Sequence, residues 1–313
     1  MPPSASHLPL HLLYGSPQHT TCYALLCQQS IAISAEVPIV NGKGSCPSIG
    51  EWLRPNPHRG IVLLSGREIV QMRRAGRLAA QLLAHLEPMV RPGMHTRAIN
   101  DEAERWTQAH GATSAQLGYT PPGHTPFPAS ICTSINEVVC HGIPDRRRTL
   151  HDGDIVNIDV TLLLDGYHGD TSKTFMVGEV SPKASRLVEV TRACMMAGIA
   201  AIAPGGRVGD IGAAIWALAE ANGYAVVREM VGHGIGKVIH AEPPIPHFGV
   251  CGSGPKLRPG MAFTVEPMLN EGRPEIEIAP DGWTVFTKDR KLSAQWEHTV
   301  LVTEMGVEIM TVA

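Results

Sequence analysis

The pattern of apolar and polar positions divides most of the chain into two similar halves. Ser65 and Glu68 form a capping pair ahead of Ile69, Met72, Leu78, Leu82 and Leu86, an apolar series on one helical face that Pro92-Gly93 brings to an end. A second helix is expected from about Thr96 to His110, with Gly111 as its stop. The same order returns later. Ser181-Pro182 opens a long helix as cap and first-turn proline, Pro204-Gly205 ends it, and another helix runs to Gly223. β-Rich sequence follows each helix pair. In it, Val139-Cys140-His141-Gly142-Ile143 is echoed by Val231-Gly232-His233-Gly234-Ile235, and Leu150-His151-Asp152-Gly153 by Leu257-Arg258-Pro259-Gly260. A carboxylate, Asp159 or Glu266, stands six positions after each of the last two glycines. An internal duplication of a helix–helix–sheet unit is expected, giving an α+β domain with pseudo-twofold symmetry whose equivalent carboxylates meet near the axis.

The strands place these carboxylates on polar faces. In 154–164, Val156, Ile158, Val160 and Leu162 form an apolar face opposite Asn157, Asp159 and Thr161. In 261–266, Met261, Phe263 and Val265 oppose Thr264 and Glu266; in 295–299, Gln295, Glu297 and Thr299 share a face. Asp170 follows the turn Asp165-Gly166-Tyr167. With helices covering the apolar faces, the polar faces line a concave site.

Composition narrows the classes of function. The 313 residues are 43% hydrophobic and 18% charged with a net charge of -3, which suits a globular enzyme-sized domain and offers no general attraction to nucleic acid or anionic membrane. No apolar run approaches the roughly 20 residues that span a bilayer. Seven cysteines at irregular spacing fit free thiols in a reducing cytoplasm better than a disulfide framework. The first 35 residues contain no Lys, Arg, Asp or Glu and are broken by Pro2, Pro3, Pro9 and Pro17, which fits no secretory signal. Residues 1–60 are expected to be an irregular extension with a linker at 47–57, in which Cys22 and Cys27 form no zinc knuckle. Residues 61–313 are expected to form the catalytic domain.

Four carboxylates facing one another without cations would raise each other's pKa values or destabilise the fold. No Arg or Lys cluster lies beside them, so divalent metal ions are the natural compensation. A site of carboxylate oxygens and one imidazole, His233, suits Mn, Fe(II), Co or Zn, and the ligand types leave that choice open.

These motifs also resemble a known family. Ser134-Ile135-Asn136-Glu137-Val138-Val139-Cys140-His141-Gly142-Ile143-Pro144 is similar to a signature of methionine aminopeptidases of the single-domain bacterial type. So are Asn157-Ile158-Asp159-Val160, Gly169-Asp170-Thr171, Gly232-His233-Gly234-Ile235-Gly236, Thr264-Val265-Glu266-Pro267 and Gln295-Trp296-Glu297-His298-Thr299. The resemblance runs from Ser65 to the C-terminus. It implies the pita-bread (creatinase/aminopeptidase) fold and a hydrolase with two divalent metal ions that removes the initiator methionine from nascent chains. Asp159 would ligate one metal, Asp170 and Glu297 would bridge both, and His233 and Glu266 would complete the second. His141 matches the histidine near the scissile nitrogen and His240 the one at the reacting carbonyl, while Glu266 would move a proton to the leaving amine. The methionine pocket would be formed by Tyr119, Phe127, Cys132, Tyr167, Ile239 and Trp283. The resemblance further implies a cytoplasmic monomer acting on nascent N-termini near the ribosome, with no nucleic acid or membrane as partner.

This chain departs from the bacterial pattern at Thr120–Pro126, which reads as an insertion at the pocket rim, and in its N-terminal extension. Xaa-Pro dipeptidases share the fold and similar ligands, but the Ser134–Pro144 motif and the short chain speak for the aminopeptidase. A non-enzymatic pita-bread binding protein would be expected to lose ligands, and all five are present. Nothing in residues 1–60 supports a separate binding module there.

Overall fold

The computed structural model describes residues 60–313, so the expectations for the extension, its linker and Cys22 and Cys27 lie outside the described residues. The first half opens with helices α1 (Gly66–Leu86) and α2 (Thr96–Ala109) and continues with strands β1 (Thr113–Ser114), β2 (Cys132–Ile135), β3 (Val138–Cys140), β4 (Ile155–Leu164) and β5 (Tyr167–Met176). The second half repeats the plan with α3 (Pro182–Ala200) and α4 (Val208–Ala221), then β6 (Ala225–Val226), β7 (Gly232–Gly234), β8 (Ala241–Ile245), β9 (Ala262–Val265) and β10 (Met268–Asn270). It closes with β11 (Ile276–Ile278), β12 (Val285–Thr287), β13 (Ser293–Gln295), β14 (Glu297–Val302) and β15 (Val307–Ile309).

The boundaries follow local chemistry. At the start of α1, the Glu68 carboxylate accepts from the Ser65 N–H at 2.9 Å and from its hydroxyl at 2.8 Å. The Ser181 hydroxyl caps α3 by accepting from Ala184 N–H at 3.2 Å, with Pro182 in the first turn. Gly111 and Gly223 end their helices in the left-handed region, at φ 73° and 77°.

The duplication extends to individual hydrogen bonds. Gly93 N–H donates to Leu150 O at 2.8 Å, and its counterpart Gly205 to Leu257 O at 2.9 Å. The isolated bridges His95–Thr149 and Arg207–Lys256 also occupy equivalent places. Each helix pair covers its own core. Met72, Leu82, Leu86 and Ile99 pack on Val156, Ile158, Val160 and Leu162; Leu187, Met195, Ile211 and Ile215 pack on Phe263, Val265, Val300 and Val302. These apolar sides drive the association.

A nine-stranded sheet runs in the order β1-β4-β5-β14-β9-β7-β8, with β2 also on β4 and β15 on β14. Its pairings are antiparallel, and β5 against β14 joins the two halves. Two three-stranded sheets, β13-β10-β6 and β11-β12-β3, flank it. One expectation is corrected here. Gln295, Glu297 and Thr299 do not lie on one strand, because the chain changes sheets at Trp296: Gln295 pairs with Met268 in β10, whereas Glu297 pairs with Ser172 in β5. The thiol expectation holds for Cys132, Cys140 and Cys194, which are free and buried.

Candidate metal centre and substrate pocket

Cross-strand register gathers the carboxylates. Ser172 on β5 faces Asp159 on one side and Glu297 on the other, and Asp170 lies two residues earlier on the same face. Thr264 pairs with Thr299, so Glu266, two residues beyond Thr264, comes to that face from β9. His233 is delivered by β7, its N–H donating to the Thr264 hydroxyl at 3.0 Å. The turn that carries β4 into β5 has Asp165 and Gly166 at φ 50° and 83°, the backbone required by a tight two-residue hairpin.

Metal-ligand geometry results. Potential ligand atoms of Asp170, His233 and Glu297 all lie within 4.8 Å of one another. His233 Nε2 is 3.6 Å from Asp170 Oδ2 and 3.6 Å from Glu266 Oε1. Asp170, Glu266 and Glu297 are buried and Asp159 is half-buried. Burial pushes Asp159 up to about 7. It pushes Asp170, Glu266 and Glu297 well above the usual carboxylate range, and repulsion among the four adds to the effect. Among the ion pairs of the described residues, His233 is the only basic group at these carboxylates, and burial lowers it to about 4.

These residues fit divalent metal. His233 Nδ1 faces the Gly234 carbonyl at 3.1 Å; a carbonyl only accepts, so the proton sits on Nδ1. The Nε2 lone pair is then turned toward carboxylate oxygens, an arrangement that repels unless a cation lies among them. Neighbouring donors hold the carboxylates without neutralising them. Gln116 Nε2 donates to Asp159 at 3.1 Å, Thr161 to Asp170 at 2.8 Å, Thr264 to Glu266 at 2.7 Å and Gln295 Nε2 to Glu266 at 3.3 Å. His247, fully buried, accepts the Glu266 N–H at 3.1 Å. Strand alternation places Thr161, Thr264 and Gln295 on the polar faces in the sequence itself, whereas Gln116 and His247 arrive from loops without a periodic signal.

Histidines and an apolar cluster border the carboxylates. His233 and His240 have ring centroids 4.3 Å apart, edge to face. His141 adopts φ 56°, a left-handed backbone unusual for a non-glycine residue, beside the tight passage of Gly142 over β2. Burial, followed by the charge of His124, lowers His141 to about 4, so it is neutral. Phe127, Cys132 and Trp283 pack together with Tyr119 and Ile143 alongside. Trp283 lies 5.2 Å from the Phe127 ring and 6.3 Å from that of His141. The structure therefore brings Tyr119, Phe127, Cys132 and Trp283 together beside His141. Ile239 is half-buried and hydrogen-bonds His233 through its backbone.

Tyr167 is a correction. On β5, His168 and Asp170 share one face, so Tyr167 and Gly169 turn to the other. Tyr167 is buried in the core under α1, and its hydroxyl donates to Glu68 at 3.3 Å. It is not part of the apolar cluster at His141.

Residues 70–304 match the pattern of metallopeptidase family M24. The chain belongs to metallopeptidase family M24. Methionine aminopeptidase B of Synechocystis sp. is 66% identical over 261 residues, 83% of this chain and 95% of that protein. Methionine aminopeptidase from Rickettsia prowazekii superposes with a TM-score of 0.78 at 48% identity, covering 81% of this chain and all of that one. Within family M24, the resemblance to methionine aminopeptidases is thus met by relatives that bear that name. The prolidase from Pyrococcus horikoshii OT3 shares the fold, with a TM-score of 0.64 at 19% identity over 80% of this chain and 64% of that one. Membership of family M24 implies use of divalent metal, and the carboxylate–histidine group is where this chain can bind it. No helix among the described residues is long and apolar enough to cross a membrane.

Proposed function

We propose that the protein removes N-terminal methionine from nascent polypeptides whose second residue is small, in the cytoplasm, as a monomer with two divalent metal ions. The convergence of Asp170, His233 and Glu297 beside the Phe127–Cys132–Trp283 cluster carries this reading. Asp159 would hold one ion and His233 and Glu266 the other, with Asp170 and Glu297 serving both. Mn, Fe, Co and Zn all suit this donor set. Bound there, such ions supply positive charge that acidifies water and polarises a carbonyl.

The chain's own groups do the rest. A carboxylate oxygen of Glu266 takes a proton from the attacking water and delivers it to the leaving amine. Neutral His141 orients that nitrogen, and His240 donates to the carbonyl oxygen as negative charge develops on it. Phe127, Cys132 and Trp283 receive the methionine side chain, their apolar surfaces excluding water around it. His141 narrows the passage beyond the scissile bond, so a bulky second residue would shift the carbonyl, and a displacement of about 1 Å can cost on the order of 100-fold in rate.

The test is hydrolysis of Met-Xaa-Ser peptides, with Xaa from Gly to Leu and Lys, against an Xaa-Pro dipeptide. A steep fall in kcat/KM beyond Val is expected. Preference for the Xaa-Pro dipeptide would replace this reading with a dipeptidase. A flat Xaa profile would show that the inserted Thr120–Pro126 segment has rebuilt the cleft.

A further inference from the structure

Tyr119, at the neck of the inserted segment, touches the site with its hydroxyl. Phe127 N–H donates to Tyr119 O at 2.9 Å and Gly118 N–H to Phe127 O at 2.9 Å, closing the neck. The inserted segment itself is pinned by Trp283 Nε1–H, which donates to Thr125 O at 3.1 Å. From this braced position the Tyr119 hydroxyl lies 2.5 Å from His240 Nδ1, with the two rings edge to face at 5.0 Å.

The backbone leading to His240 is braced as well. Both the backbone N–H and Nδ1 of His168 donate to Gly236 O at 2.9 Å. Lys237 Nζ pairs with Glu68 at 2.9 Å, and Glu68 also accepts from Tyr167. With the phenol at hydrogen-bond distance from Nδ1, what matters at the neutral His240 ring is which nitrogen carries the proton. If Nδ1 carried it, Nε2 could only accept, and a carbonyl oxygen could receive nothing from that nitrogen. With Nδ1 accepting from the phenol, Nε2 carries the hydrogen and can donate.

We propose that Tyr119 is a positioning residue: its hydroxyl donates to His240 Nδ1 and thereby holds His240 in the tautomer that donates from Nε2 to the reacting carbonyl oxygen. The inference rests on the functional reading above.

The direct test is the 15N spectrum of [15N]histidine-labelled, Zn-loaded full-length protein, with His240 assigned by comparison with His240→Gln. The expected result is a protonated Nε2 and an unprotonated, hydrogen-bonded Nδ1 in the wild type, with a mixture of tautomers in Tyr119→Phe. A wild-type His240 protonated on Nδ1, or an identical tautomer in Tyr119→Phe, overturns the proposal. In kinetics on Met-Ala-Ser, Tyr119→Phe should lose about tenfold in kcat with KM little changed, and Tyr119→Leu should lose a similar amount, both with undiminished metal content. Wild-type kcat in Tyr119→Phe, with loss only in Tyr119→Leu, would make Tyr119 a pocket wall and nothing more. Failure of the wild type to hydrolyse Met-Ala-Ser would instead sink the functional reading, and the nitrogen spectrum would still decide the role of Tyr119.

Discussion

Asp170 concentrates the opposition between folding and metal binding in one side chain. One oxygen accepts from Thr161 at 2.8 Å, and the other lies 3.6 Å from a histidine nitrogen that offers it no proton. Burial first, and then the charge of Asp159, disfavour its ionised form. Such a group destabilises the metal-free protein and serves only when cations are present. Asp170→Asn preserves the shape and removes the charge. It is expected to lower kcat/KM for Met-Ala-Ser on the order of 100-fold or more and to reduce the metal bound per chain. The same change should stabilise the metal-free protein by about 1 kcal/mol, roughly 2–4 °C in Tm. Metal analysis and calorimetry on the two proteins check this. Near-normal turnover by metal-replete Asp170→Asn would remove the proposed two-ion site.

At the scale of the element, β5 is held to α1 by the absence of a side chain. A Cβ built at Gly169 would stand 2.2 Å from Ala75 O, backbone that cannot step aside without moving the helix. Gly169 precedes Asp170, so this close approach fixes the height of the ligand above the sheet. Gly169→Ala is expected to cost about 1–3 kcal/mol through overpacking and to lower kcat/KM while every ligand remains present. Thermal unfolding beside peptide kinetics tests it. Unchanged stability and rate would show that α1 can shift freely and does not set the position of Asp170. A similar limit applies at Gly142, where a Cβ would fall 2.1 Å from Thr133 O, next to the strained His141.

At the scale of the molecule, two half-domains each bury a core under their own helix pair and share one sheet, joined where β5 meets β14. The proposed site lies across that junction, so neither half holds it alone. The described chain enters this body early. Leu64 is buried in the first core and donates to Gly260 O at 2.8 Å, while Ile61 packs against the second. We therefore propose that residues 61–313 fold and act by themselves. Deleting residues 1–60 is expected to leave kcat/KM for short Met-peptides within about twofold, below the 1 kcal/mol scale of a lost contact. A folded but inactive truncation would assign residues 1–60 a part in the site and move the domain boundary.

Periodicity determined much of this protein at the level of sequence. Helix ends at Ser65, Gly111, Ser181 and Gly223 were legible because caps and stops are local chemistry. The duplicated order was legible because it repeats along the chain, and Asp159 and Glu266 stood out as charges set into strand alternation. Glu297 and Asp170 were read from their strand context and His233 as the one imidazole beside them; the motifs then indicated the family, and with it the role of each. Only the tertiary structure decided what depends on register and on approach across space. Whether Tyr167 faced pocket or core turned on a one-residue alternation beside Asp170, and the chain's change of sheet at Trp296 separated Gln295 from Glu297. Gln116, His247 and the hydroxyl of Tyr119 reach the site from irregular segments, where no period links a residue to a face. Local interactions are written in neighbouring residues; contacts between distant segments exist only once both cores have closed and brought them together.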